Sequence, residues 1–99
     1  MDVTNENEIS AAYEEIRSDL EKNNEQLWAV VNNAGIEGMT PFIESGTMDL
    51  YNRVFDVNTF GVVRVTRVFL PLIRNSKGRI VNVVSGFGRT TIHTFAPYW

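Results

Sequence analysis

Two apolar runs in this sequence end on polar residues that sit oddly at the close of a buried strand. "LWAVVNNAGI" passes from Leu27–Val31 into Asn32, Asn33, Ala34 and Gly35, and "RIVNVVS" ends on Ser85. A third polar residue, Asn58 in "DVNTFGV", lies on or beside an apolar helical stripe. Amides and a hydroxyl of this kind hold and orient a ligand, because they donate and accept hydrogen bonds without carrying charge. With no cysteine and one histidine, thiol chemistry is excluded and a transition-metal site is not expected. His93 stands alone in a loop and reads as a structural residue. "GFGR" at 86–89 resembles a phosphate-binding glycine pair but lacks the following helix and the full spacing, so it reads as a flexible active-site loop. Taken singly, Ser85 simply closes a strand, Tyr98 is an aromatic near the end of the sequence, and Asn58 is a polar residue bonded to neighbouring backbone.

The elements that must position these residues follow from periodicity. "TNENEISAAYEEIRSDLEKN" predicts a helix, with Asn5 and Glu8 at capping-box spacing and Thr4 as an alternative cap. Its apolar stripe is Ile9, Tyr13, Ile16 and Leu20. Leu27–Val31 predicts a strand buried on both faces, followed by a loop containing Gly35, Gly38 and Pro41. A long helix is expected over about 47–74, capped by Ser45 or Thr47, with Leu50, Val54, Val57, Gly61, Val65, Val68 and Leu72 on its apolar side. Gly61 marks close packing, Pro71 a bend or an end to the last turn, and "NSKG" a stop. Arg64, Arg67 and Arg74 read as its solvated face. Residues 79–85 predict a second buried strand, and the remainder a loop.

Strand, long helix, strand is a βαβ unit, so the two strands should be parallel and the fold class α/β. Ligands in such sheets bind outside the carboxyl ends of the strands. Asn32–Gly35 and Ser85 leave those ends on the same edge. Asn58 falls there too: counted back from the helix end it stands about 24 Å up at 1.5 Å per residue, against about 20 Å for a six-residue strand. Asparagine tolerates left-handed backbone and Ala-Gly leaves room beside the chain, so a sharp turn with ligand access is expected at 32–35.

Composition narrows the classes. Nine basic against twelve acidic residues give a net charge of −3, which argues against a nucleic-acid partner. No apolar run approaches the ~20 residues of a membrane span, and the acidic start does not read as a secretory signal. Two strands cannot make an independently stable parallel sheet. The 99 residues therefore read as part of a larger domain, or as dependent on a partner, with apolar faces left partly uncovered.

Together, "NNAG", "DVNTFGV" and "GRIVNVVS" resemble the short-chain dehydrogenase/reductase family, and "LWAVVNNAGI" with Gly88-Arg89 looks most like its retinol and hydroxysteroid dehydrogenase branch. The likeness runs over essentially the whole chain. It implies the central part of a Rossmann-type, doubly wound parallel sheet. It also implies hydride transfer between NAD or NADP and a hydrophobic alcohol, aldehyde or ketone, retinoid- or steroid-like. By resemblance Ser85 is the catalytic serine that orients the substrate carbonyl. Tyr98, thirteen positions on, is the general acid/base. Asn58 matches the helix asparagine whose backbone carbonyl holds a relay water. Asn33, Ala34 and Gly35 line the adenosine side of the cofactor pocket, Asp2 and Val3 match positions at the adenine, and Asn32 is a brace between strands. The helix over 47–74 matches one that packs across a subunit interface in the family, which implies a homo-oligomer. For location the resemblance implies cytoplasm or an endoplasmic-reticulum membrane for the parent protein, without deciding between them.

Departures from the family pattern bound what this chain can do. The glycine-rich turn that receives the pyrophosphate is absent, and so is the residue that separates NAD from NADP. The lysine expected four positions after Tyr98 is also missing. A tyrosine near its usual pKa of about 10 is barely ionised at neutral pH. The chain by itself is therefore expected to be inactive, and the alternative expectation is a truncated, non-catalytic protein that binds a full-length relative through the long helix.

Overall fold

The computed structural model of the chain describes residues 1–40 and 42–90. Helix α1 spans Glu6–Asn23. Asn5 caps it, its side-chain oxygen accepting from the N–H groups of Asn7 and Glu8 at 3.0 and 3.2 Å. The reciprocal half of the capping box is redirected, because Glu8 Oε2 accepts from the N–H of Asp2 at 2.6 Å. Thr4 is not the cap. Its N–H and hydroxyl both donate to Asp2 Oδ1, at 2.9 and 2.8 Å.

These two bonds, the backbone one first, hold the Asp2 carboxyl below its ordinary value. A lowered folded pKa means that the stabilisation is complete above the unfolded value of about 3.9 and disappears as pH falls through the lower folded value. Thr4→Val deletes the hydroxyl bond alone. The Asp2 titration midpoint, followed by NMR, should then rise; a midpoint that stays put would show that the hydroxyl contributes nothing.

Strands β1, Ala29–Asn32, and β2, Arg79–Asn82, pair in parallel with Val30 opposite Ile80 and Asn32 opposite Asn82. The ladder is shorter than the apolar runs. At its near end the Leu27 carbonyl accepts from the Ser76 hydroxyl and the Trp28 carbonyl accepts from Arg79 N–H. At its far end the last bond runs from Val83 N–H to the Asn32 carbonyl at 2.9 Å. Burial on both faces is not found. Val30 packs into the core, whereas Val31 is 59% exposed and Val81 43%. The reason is that the packed core lies against one side of the sheet only, so the other apolar side stays open, in line with the partly uncovered faces expected.

The long helix is one unbroken rod in three parts: α2, Met48–Phe55, a π-helical turn, Asp56–Phe60, and α3, Gly61–Ser76. Thr47 is the cap that forms, its hydroxyl accepting from Leu50 N–H at 3.2 Å. Gly61 is where Val3 packs, since a Cβ there would stand 2.6 Å from Val3 Cγ2. Pro71 does not end the helix but lies inside α3. The stop comes at Lys77, left-handed at φ 53°, after which the Gly78 N–H bonds back to Ile73 at 3.0 Å. A Cβ at Gly78 would meet the Trp28 carbonyl at 2.5 Å, so this glycine is required by packing on the approach to β1.

The core is Ile9 of α1 against Val65 and Phe69 of α3, with Tyr13, Ile16, Leu27, Val30, Val68 and Leu72 around it. Tyr13 meets Phe69 edge to face at 5.7 Å. Ile9 is fully buried, worth about 1.5–3 kcal/mol relative to exposure. Phe69 and Ile73 are buried, whereas the expected Val68 and Leu72 are partly buried against the same core.

Candidate active site

At the carboxyl ends of β1 and β2 opens a cleft of about 760 Å³. Asn33, Ala34 and Gly35 form one wall, Asn58 with Thr59 and Val62 a second, and Val83, Val84, Ser85 and Phe87 a third. The structure thus brings five of the expected site residues together, including the pair on separate elements, Asn58 and Ser85. Asp2 does not line this cleft. It borders an adjoining hollow of about 770 Å³ that shares Ile36 with it. Val3 is half-buried, its side chain packed against the core. Tyr98 and His93 lie outside the described residues.

Asn58 sits in the middle of the π turn, where Gly61 N–H reaches back to the Asp56 carbonyl, five residues away. Such turns widen the helix and aim a side chain sideways. Here the amide is used at both ends: Asn58 Nδ2 donates to the Ile36 carbonyl and Ile36 N–H donates to Asn58 Oδ1, each at 2.8 Å. Side-chain bonding to backbone, one of the two readings open for Asn58, is what the structure contains. It clamps the end of the Asn33–Ile36 segment onto the helix.

The backbone at 32–35 departs from expectation. Among the described residues the positive φ angles outside glycine belong to Asn24 and Lys77, and no glycine has one. The asparagine pair therefore does not make a left-handed turn. Asn32 still belongs to β1 and is buried, its Nδ2 donating to Asn82 Oδ1 at 2.9 Å and lying 3.2 Å from Thr66 Oγ1. That is the expected brace, and it ties both strands to α3. Gly35 does leave room. A Cβ built there meets only Asn58 Oδ1, at an ordinary 3.5 Å, so the chain itself does not require a glycine at this exposed position.

Ser85 ends the second strand's extension and caps a short 3-10 turn, Gly86–Gly88, its oxygen accepting from Phe87 N–H at 3.2 Å. An acceptor bond leaves the hydroxyl hydrogen available to donate. Gly86 and Gly88 face open space, so "GFG" forms no close backbone cradle.

A further correction concerns Arg64. It is not part of a solvated face: its side chain is three-quarters covered, and the guanidinium pairs with the Asp56 carboxylate and donates to the Asp56 carbonyl at 3.0 Å and the Val3 carbonyl at 3.4 Å. Nothing in the helical period singles it out. The available signal was an aspartate eight residues earlier, a separation that a regular helix does not bring into obvious register.

The family described as short chain dehydrogenase is matched across residues 1–99. The chain belongs to that family. Curated relatives include the mitochondrial D-beta-hydroxybutyrate dehydrogenase of Bos taurus, 45% identical over 98 residues. Another is the 17-beta-hydroxysteroid dehydrogenase type 2 of Homo sapiens, 43% identical over 98 residues. Each alignment covers 99% of this chain but only 28% and 25% of the relative, so the chain spans about a quarter of their length. Among solved structures, a gluconate 5-dehydrogenase from Burkholderia cenocepacia in complex with NADP and tartrate superposes with a TM-score of 0.81 at 27% identity. That likeness covers 99% of this chain and 37% of the solved one. The short chain dehydrogenase chain is thus α/β with a parallel sheet, as its own two strands show.

Proposed function

We propose that the protein carrying these residues moves a hydride between the nicotinamide of NAD or NADP and a hydrophobic alcohol or carbonyl compound, steroid- or retinoid-like. The observation that carries this reading is the convergence of Asn33–Gly35, Asn58 and Ser85 on one cleft at the carboxyl edge of the sheet. Gly35 supports a ligand there, because the space beside it is not needed by the chain. The cleft residues carry neither lysine nor arginine, so they suit the nucleoside faces of a dinucleotide and not its pyrophosphate. Ile36, Val62, Val83, Val84 and Phe87 supply apolar surface for the substrate. The chain is then the central part of a larger Rossmann-type domain.

The bound cofactor would supply or accept the hydride. Ser85 donates a hydrogen bond to the reacting oxygen and holds it in place. Tyr98 exchanges the proton with that oxygen. Asn58 fixes the loop that forms the cofactor wall, its own carbonyl being the expected holder of a relay water. Asn33, Ala34 and Gly35 would face the adenosine, and Asp2 and Val3 the adenine.

The test is NADH or NADPH formation by the whole protein with estradiol-like, retinol-like and short 3-hydroxy-acid substrates. Turnover of the apolar alcohols supports the reading, turnover of the hydroxy acid alone overturns its substrate class, and none overturns the activity. The same assay on the 99 residues alone should give nothing, since they hold no lysine after Tyr98.

A second reading rests on the long helix, where Phe55, Phe60 and Val63 are 50%, 54% and 48% exposed. Such a row suits pairing with the same helix of a second copy or of a full-length relative. Sedimentation that stays monomeric at high concentration, with no capture of the relative, would exclude it. Among the described residues no helix is long and apolar enough to cross a membrane.

A further inference from the structure

The structure assigns to Arg64 the role of a positioning residue for the adenosine half of the dinucleotide, a role that rests on the reading just given. The Asp2–Val3 segment has no strand partner among the described residues; it is docked on the long helix at two points. The Val3 side chain enters the notch left by Gly61, where any Cβ would collide with it. The Val3 carbonyl accepts from Arg64 Nη1. The same nitrogen donates to the Asp56 carbonyl, and Nη2 pairs with the Asp56 carboxylate.

Asp56 opens the π turn, and Asn58, two residues on, clamps Ile36. One wide turn therefore holds the cleft segment Asn33–Ile36 through Asn58 and, through Arg64, Val3, the neighbour of the Asp2 that borders the adjoining hollow. Arginine suits this place because its planar fork reaches a carboxylate and two carbonyls at once, which an ammonium cannot do with the same geometry. Arg64 also borders the hollow beside Asp2, and three of its five N–H donors are used on the chain's own Val3 and Asp56. It acts on the nucleotide through Val3 and Asp2.

The test uses the whole protein with Arg64→Met and Arg64→Lys, reading nucleotide affinity by calorimetry and turnover at saturating cofactor. Loss of the bridge to Val3 should weaken NAD(P) binding about tenfold in Arg64→Met, with Arg64→Lys between it and the unsubstituted protein. AMP should lose the same factor, while nicotinamide mononucleotide, kcat and the alcohol KM stay within about twofold. A lower melting temperature with unchanged nucleotide affinity would overturn the assignment and leave a structural arginine. If Arg64→Met does not fold, Arg64→Lys decides by the same criterion. An unsubstituted protein that binds no dinucleotide would overturn the functional reading and this assignment together.

Discussion

Ser85→Ala in the whole protein should lower kcat about 10²–10³-fold while leaving the cofactor KM unchanged, the range expected when one donor to a reacting oxygen is deleted. The geometry gives the reason for the split. Ser85 lines the cleft from the β2 side and makes no described bond to Asn33–Gly35, so its loss does not touch the segment assigned to the nucleotide. Its side-chain oxygen accepts from Phe87 N–H, and losing that bond relaxes a short turn at little cost in stability, since the Gly88 N–H still bonds to the Ser85 carbonyl. Steady-state kinetics with cofactor and alcohol varied separately check this. Equal changes in both KM values with kcat retained would mean that Ser85 shapes the pocket and takes no part in the chemistry.

The second large effect is expected at Asn58. Asn58→Leu keeps the volume but leaves the N–H and carbonyl of Ile36 without their partner, two groups whose loss costs about 1–3 kcal/mol each when they stay dry. Ile36 is half-buried, so water recovers part of that cost. The loop end should detach from the helix, raising amide exchange at residues 33–36 while the Ile9–Phe69 core keeps its protection. Turnover should fall with it, because the wall of the cleft is no longer fixed. Exchange measured residue by residue by NMR separates this outcome from general unfolding, and unchanged exchange at 33–36 would contradict the clamp.

The two positions differ in how readable they were. Ser85 ends an apolar run and so announces its place at a strand's carboxyl end. Asn58 was placed correctly at the same edge by simple rise arithmetic, because helix and strand run side by side over that distance. Its side-chain bonds were not legible as a two-point clamp, since the π turn depends on tertiary contacts and Asp56–Phe60 has no composition that demands one. Asn32 and Asn33 misled in detail. The pair suggested a left-handed turn, yet Asn32 stays in the strand because Asn82 and Thr66 satisfy its amide there. Arg64 was invisible for a related reason: its partners, Val3 and Asp56, are distant in sequence or offset by the wide turn. Strand burial on both faces is not legible from the all-apolar runs, since such a run reports what the fold is built to cover and not what these residues cover by themselves.

The central claim is that the cleft at the carboxyl ends of β1 and β2 holds the nicotinamide cofactor. A crystal structure of the whole protein grown with NADH tests it most directly. Adenosine is expected against Asn33–Gly35, with the nicotinamide ring turned towards Ser85. A nucleotide bound elsewhere, or a cleft that stays free of it at saturating NADH, would contradict the account.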